Sequence, residues 1–402
     1  MNAIVVDFAT LGRSTQVLER QAAHARAVEP HLRQHADVRD STGALLALLV
    51  PLSMATVELG AQVARGAAHV AELTADHLRD TARTFAETEQ AAGTTISDLS
   101  TGLGGVPVPL PGGSGGVPDI GPAQESAPAD HGDVDSWLGS KAAGIGDTLG
   151  DAVTDARGLV DDLTSWGTRA DVVEVVDASS YLVPPQASAN PVQDLRWNAG
   201  ILLGSVDWVA EQFLGWSILA ECVFKPLGGD WRAIEQSSAA WGFAGEAFFA
   251  VGRNCAGLVG STVAGWQGAA GDAFRVTMTT FTAACVGLQA AFDHVSGLVS
   301  TVATVSKLAC AGIGMGLRTI AEILTMMAAE AAVPVAGWAV GAATLWWKIE
   351  KVVGIVRLVY NLLETIADAI ADLVEARTQV LGALDLVEDL ARALATRAGV
   401  AA

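Results

Sequence analysis

The stretch of sequence that decides the fold is Gly265-Trp266-Gln267-Gly268-Ala269-Ala270-Gly271-Asp272-Ala273-Phe274. It lies between two long runs of helical spacing. Gly268 supplies the left-handed or close backbone geometry that a tight turn needs. Asp272 falls in the first turn of the second run, where a carboxylate interacts favourably with the helix dipole. The pattern predicts two antiparallel helices joined at Trp266, whose ring closes the end of a bundle while its indole N–H stays reachable from outside.

The helix before this turn has a clear start. Gly228-Gly229-Asp230 is a glycine stop followed by a good N-cap, so we expect a helix over residues 231 to about 264. The helix after the turn is expected over residues 269 to 299. Further upstream, a break that contains Pro184 and Pro185 precedes an apolar helix at 206–224.

The first ninety residues predict a second helical hairpin. Apolar residues recur at threes and fours before Pro30 and again over residues 45–85, with a polar stretch at 37–42 between the two runs. Residues 93–135 are rich in Gly, Pro and Ser without an apolar period, which predicts a flexible linker. An acidic stretch follows, and its amphipathic helix at 145–163 is expected to present a solvated face rather than a docking site for a basic partner.

The last hundred residues are more apolar. Gly312 and Gly316 form one GxxxG motif, and Gly337 and Gly341 form another, a spacing that lets helices approach closely in lipid. The charge-free run 331–347 contains Pro334 and is shorter than the ~20 residues that span a bilayer. A buried hairpin of a soluble bundle and conditional membrane insertion both stay open here. Residues 352–394 then predict a long amphipathic helix.

The sequence therefore predicts an all-α protein, built of helical hairpins and a bundle with a disordered Gly/Pro-rich linker. We divide the chain into a helical hairpin (1–95), a Gly/Pro/Ser linker (96–136), an acidic amphipathic helix and connector (137–190), a hairpin module with the Trp turn (191–300), and an apolar hairpin with a C-terminal amphipathic helix (301–402).

Composition excludes some functions. The formal net charge of −20, with 44 acidic against 24 basic residues, disfavours contact with phosphate backbones, so we expect no nucleic-acid partner. The four cysteines lack the close pairing of zinc sites. Reduced core thiols and one or two disulfides are both compatible with their apolar surroundings. These residues are Cys222, Cys255, Cys285 and Cys310.

Catalytic motifs fail on their context. The GxSxG match at residues 112–116 lies in the Gly/Pro linker and has no strand before it. Gly144-Ile145-Gly146 lacks the βαβ unit of a dinucleotide fold. His31 and His35 are spaced to share a metal ion, but no third ligand is evident. We therefore predict a protein without enzymatic activity, cofactor or metal ion.

The Trp-x-Gly run resembles the WxG family of actinobacterial type VII (ESX) secretion substrates, which are helical hairpins with such a turn. The segment 207–231 before it is similar to the lead-in found in the amino-terminal parts of actinobacterial type VII effectors, and the whole run resembles an EspA-like or effector-like WxG module. The first hairpin resembles EspC-like targets. Substrates of this pathway carry a Tyr-x-x-x-Asp/Glu signal near a helix end, and the matching positions run from Phe85 to Glu89, with Phe in place of Tyr.

This resemblance implies a leaderless secreted protein, since residues 1–7 also lack the basic region of a conventional signal peptide. The implied role is a non-enzymatic adaptor, structural or virulence-associated protein. Its implied partners are the ESX machinery with its ATPase and a small WxG-family partner or chaperone. The alternative is a membrane-active effector, forming a pore or an anchor through residues 308–347; homo-oligomer formation stays open. If the first hairpin replaces a separate partner, Phe85 and Glu89 should lie near Trp266 at one bundle end.

Overall fold

The computed structural model describes residues 5–39, 43, 46–47, 49–102, 117–134, 171–186, 229–331 and 338–400. The amphipathic helix expected at 145–163, the apolar helix expected at 206–224, the two glycine motifs at 112–116 and 144–146, and the residues Cys222 and Gly337 lie outside this part of the chain.

The all-α prediction is confirmed. Five long helices and one pair of very short strands make up almost all of the regular structure in the described residues. In chain order they are β1 (Val5–Val6), α1 (Phe8–His35), α2 (Leu49–Gly102), α3 (Trp231–Ser261), β2 (Trp266–Gln267), α4 (Ala269–Ala331) and α5 (Trp338–Val400); a 3-10 helix spans Ala178–Tyr181.

The helices form two antiparallel hairpins and a fifth helix. Arg33 of α1 forms a 2.8 Å ion pair with Glu58 of α2, while Arg79 pairs with Glu19 at the other end, so α1 and α2 are antiparallel. In the second hairpin, the Ser238 hydroxyl of α3 donates to the Ser296 carbonyl of α4 at 2.8 Å. Helix α5 packs against both α2 and α4 and completes the bundle.

The two hairpins pack on each other within the chain. The Ser237 hydroxyl of α3 donates to the Ala36 carbonyl at the end of α1 over 2.8 Å, and Asn254 reaches Gln21 in the middle of α1 over 2.8 Å. One apolar cluster includes buried residues from all five helices. Burying so much apolar surface in one cluster is the main stabilisation of such a bundle.

Local signals placed the start of α3 correctly. Asp230 is its N-cap, and the Asp230 carboxylate accepts from the backbone N–H groups of Arg232 and Ala233. Gly229 before it has a positive φ of 83°. Helix α4 was expected to end at residue 299, but it continues to Ala331. The sequence from 300 to 310 contains neither Gly nor Pro to stop it.

Part of the predicted linker is ordered. Helix α2 continues to Gly102, and residues 117–134 lie along residues 171–186, with parallel bridges at Glu125–Val176 and Asp133–Gln186. We call these two segments together the strap. Four apolar side chains of the strap are buried in the main core, namely Ile120, Val172, Val175 and Val176. This burial stabilises the strap, whose sequence does not favour a helix.

A buried polar network fastens the strap to α1 and α3. Glu174 is 2% exposed, and its carboxylate accepts from Arg20 at 3.0 Å, from Gln21 at 2.9 Å and is 2.9 Å from His24 Nε2. Burial opposes ionisation, but hydrogen bonds from His24, Arg20 and Gln21 outweigh it and lower the pKa of Glu174. Because these partners are about 150 residues apart in sequence, spacing alone gives no sign of them.

Candidate docking site at the Trp turn

The structure places Trp266 at the reversal between α3 and α4. Helix α3 ends at Ser261, Trp266 and Gln267 form β2, and α4 begins at Ala269. Gly268 has a φ of 116°, a conformation that residues with a side chain rarely adopt. The turn is therefore built as the sequence predicted, with the glycine at the position that needs it.

The indole N–H was expected to stay reachable from outside, but the structure buries Trp266. Trp266 is 3% exposed, and its ring packs on Phe274 with a centroid distance of 5.3 Å. Side chains of α2, α4 and α5 line the same cleft as Trp266. Trp266 thus anchors the turn from inside, and the exposed residues of the turn are Val263, Ala264 and Gln267.

Two further glycines, Gly265 and Gly271, shape the turn, although their role was not predicted from the sequence. A Cβ atom at Gly265 would lie 2.5 Å from the Thr10 hydroxyl, and one at Gly271 would lie 2.6 Å from the Trp266 carbonyl oxygen. Both distances are shorter than real Cβ contacts allow. Gly271 meets the backbone of Trp266 and Gly265 meets α1, and neither contact has a signal in the local sequence.

The amino-terminal strand is the second feature that the sequence did not reveal. Val5 pairs with Gln267 and Val6 with Trp266, and the Asp7 N–H donates to the Gly265 carbonyl at 2.7 Å. Asp7 is also the N-cap of α1 and accepts from the Thr10 hydroxyl at 2.6 Å, which lowers the pKa of its carboxyl group. A two-residue strand has no recognisable period, so only the tertiary contact defines it.

A charged pair on α4 completes the turn. Arg275 donates to the Trp266 carbonyl oxygen at 3.0 Å and pairs with Asp272 at 2.6 Å. Asp272 lies in the first turn of α4, where we expected it, and has the additional task of orienting the arginine.

Beside the turn lies a partly open cleft of about 290 Å³ between α2, α4 and α5. Trp266 and Phe274 contribute its aromatic wall, and threonines and a histidine add polar groups. The complete lining is Thr74, His77, Leu78, Thr81, Trp266, Ala270, Ala273, Phe274, Thr277 and Leu394. Its size and apolar lining suit one large side chain of a binding partner.

Phe85 and Glu89 lie at the same end of the bundle. They follow Thr81 of the cleft by about one and two turns of α2. Phe85 is half-buried and Glu89 is exposed. The Phe-x-x-x-Glu positions therefore directly follow the part of α2 that lines the cleft beside Trp266.

The glycine motifs of the last hundred residues lie elsewhere. Gly312 is buried and Gly316 half-buried on α4, and Gly341 belongs to α5. The stretch Ala269–Thr319 is long and apolar enough to cross a membrane by length and composition, and 44% of its apolar window is buried in the protein. Core helices of soluble bundles meet the same criterion.

The described residues contain no group of three or more His, Cys, Asp or Glu side chains arranged to hold a metal ion. The rings of His31 and His35 are 5.2 Å apart, and burial together with the nearby charge of His35 lowers the pKa of His31 to about 4. Cys255, Cys285 and Cys310 are buried and are not in disulfides. Burial raises the pKa of Cys255 to about 12, so this thiol is a poor nucleophile at neutral pH.

Comparison of the chain with protein-family models, with curated proteins and with solved structures finds no match in any of the three.

Proposed function

We propose that the protein is a non-enzymatic helical substrate of a type VII (ESX) secretion system, recognised at the Trp-turn end of its bundle. The observation that carries this proposal is that Thr81, one turn before Phe85 on α2, lines the same cleft as Trp266. Residues of the first and the second hairpin, far apart in sequence, come together there around the buried Trp266. A secretion apparatus that reads folded helical pairs needs such a meeting of two hairpins on a single folded unit.

The packing of the hairpins supports the proposal. Small WxG-family proteins are handled as pairs of hairpins, and here α1–α2 lies on α3–α4 within one chain. The first hairpin then takes the place of the separate partner. A small partner or chaperone remains an optional addition, while the ESX ATPase is the required contact.

The burial of Trp266 assigns separate roles to the residues of this end. The indole fixes the turn, whereas Gln267, the cleft and the exposed turns of α2 around Glu89 are accessible to a partner. Substitution of Trp266 should therefore act through folding, and substitution of Glu89 should act through recognition.

The decisive experiment compares culture filtrate with cell pellet in an actinobacterial host, with and without the secretion ATPase. Export should require the ATPase, and Glu89→Ala should lower the exported fraction at least tenfold. Glu87→Ala, an equally exposed carboxylate on the same helix, is the matched control and should be exported normally. Export that continues in the ATPase-null strain would end the proposal.

A second candidate function is a membrane-active effector, and the length of α4 and α5 favours it. One small cavity marks the end of the bundle opposite the Trp turn, because it is lined by residues near the end of α1 and the starts of α2 and α3: Val38, Leu49 and Ile234. Val302 of α4 and Leu373 of α5 line the same cavity. Beyond that level α4 continues to Ala331, roughly 44 Å further at 1.5 Å per residue. Leu308 and Met315 are exposed along this extension at 51% and 41%.

Dye release from liposomes tests this candidate. Wild-type protein should release dye, and a charge introduced by Gly341→Asp in α5 should abolish release. Gly382→Asp is the control, because Gly382 is exposed on the same helix with open space around it. Equal release by both variants, or none by the wild type, would exclude the membrane role.

A further inference from the structure

Helix α5 has a second apolar side that the bundle leaves open. Leu373, Val380 and Val387 face the core, whereas Tyr360, Val374 and Leu381 are exposed at 70%, 53% and 39%. The exposed residues are separated in sequence by multiples of seven positions, as are the contact positions of a helix that winds around a partner helix. We call the exposed side of residues 360–392 the outer face of α5.

Carboxylates accompany this apolar line. Five exposed acidic residues of the outer face form no ion pair with any residue that the structure describes; they are Glu364, Asp368, Asp372, Glu375 and Asp385. Arg392 is already paired with Glu388 and Asp389. Residues 360–392 hold seven acidic and two basic side chains in total, which leaves a strongly negative surface beside the apolar line.

The charge discriminates among possible occupants. A second copy of α5 would bring two negative faces together, which like-charge repulsion disfavours. The segments 135–170 and 187–228 of this chain are also acidic, with six acidic against three basic residues and four against two. Anionic lipid surfaces are disfavoured for the same reason. Charge complementarity points to a basic occupant.

We propose that the outer face of α5 binds an amphipathic helix of a partner protein, with apolar residues in a heptad pattern and Lys or Arg along the flank that meets the carboxylates. The apolar side chains of the partner would cover Tyr360, Val374 and Leu381. Its cations would pair with the five carboxylates. This binding mode is a helix laid along a helix face, and it does not depend on how the protein is exported.

A designed peptide of about four heptads, with Leu and Ile at the contact positions and Lys on the flanks, serves as the probe. Its fluorescence anisotropy is measured with the full chain at low and high salt. A peptide with Glu in place of Lys is the matched control. We expect the Lys peptide to bind at least tenfold more tightly than the Glu peptide, with an affinity that falls as salt rises.

Variants locate the site. The double substitution V374N/L381N should weaken binding of the Lys peptide at least tenfold, and E364Q/D368N/E375Q should weaken it and reduce its salt dependence. Val276→Asn, at a 66%-exposed valine of α4, is the control and should bind normally. All these side chains are exposed, so circular dichroism should report unchanged helix.

Three results would overturn the proposal: equal binding of the two peptides, unchanged binding by both multiple variants, or a dimer that sedimentation detects in the wild type and not in V374N/L381N. The last result would make a second copy the occupant.

Discussion

Three glycines around Trp266 serve three different physical needs. Gly268 adopts a positive φ, Gly265 leaves room for α1, and Gly271 leaves room for the carbonyl oxygen of the tryptophan. Sequence reasoning identified the first because backbone conformation is a local property. The other two depend on contacts with neighbouring backbone and with α1, which a list of residue types does not contain.

Gly271→Ala should destabilise the protein by about 1–3 kcal/mol, because the new Cβ would meet backbone rather than a movable side chain. Gly287→Ala on the same helix is the control. Outside the adjacent backbone of its own helix, no atom lies within 4 Å of a Cβ there, so the higher helix propensity of Ala should stabilise the protein by up to about 1 kcal/mol. Urea unfolding measures both. Stability changes of the same sign would contradict the close approach at the turn.

His31 should make the fold sensitive to acid. Its pKa is lowered to about 4 in the folded protein, against 6.5 for an unperturbed histidine, so the unfolded chain binds more protons between these values. The contribution of neutral His31 is complete above pH 6.5 and is lost as the pH falls towards 4. Between pH 7 and pH 5 the free energy of unfolding should fall by about 2 kcal/mol from this residue.

Urea unfolding of wild type and His31→Gln at pH 7 and pH 5 checks the expectation. Glutamine keeps a donor for the Ala240 carbonyl, which lies 3.3 Å from His31 Nε2, but does not titrate. The loss of stability on acidification should be smaller in the variant by about that amount. If wild type and variant lose the same stability between pH 7 and pH 5, the burial of His31 is not the cause of the acid sensitivity.

At the scale of elements, the sequence predicted what local signals determine. Asp230 and Gly229 marked the start of α3, and the Trp-x-Gly motif marked its reversal into α4. The strap and β1 were missed because their partners are distant in sequence: Asn254 accepts from the N–H groups of Val175 and Val176, nearly eighty residues away. No spacing rule links residues so far apart.

Asn254→Ala should release the strap. Asn254 is fully buried and makes four hydrogen bonds, so alanine would leave two backbone N–H groups of the strap without a partner. We expect a loss of about 2–3 kcal/mol. Hydrogen exchange should quicken at Val175 and Val176 before it does in α4.

Asn361→Ala, at an exposed asparagine of α5, provides the comparison and should change neither stability nor exchange. Unchanged protection of the strap in Asn254→Ala would mean that apolar burial alone holds it.

At the scale of the whole molecule, the segments named from the sequence share one core. Leu18 of α1, Leu78 of α2, Phe248 of α3, Phe281 of α4 and Val380 of α5 belong to the same apolar cluster. The periodicity of each helix predicted which side is apolar. It did not predict which helices meet, because any apolar stripe can pack on any other until topology and connection lengths decide.

A shared core makes unfolding cooperative across both hairpins. Leu18→Ala removes a fully buried side chain of α1 and should cost about 2–5 kcal/mol. If the bundle unfolds as one unit, hydrogen exchange in α4 should lose protection by the same free energy as in α1, although residue 18 is about 250 positions away in sequence. Leu386→Ala, at a 42%-exposed leucine of α5, should leave both helices unchanged. Loss of protection confined to α1 and α2 would show two hairpins that unfold separately, and the site at the Trp turn would then exist only while they stay docked.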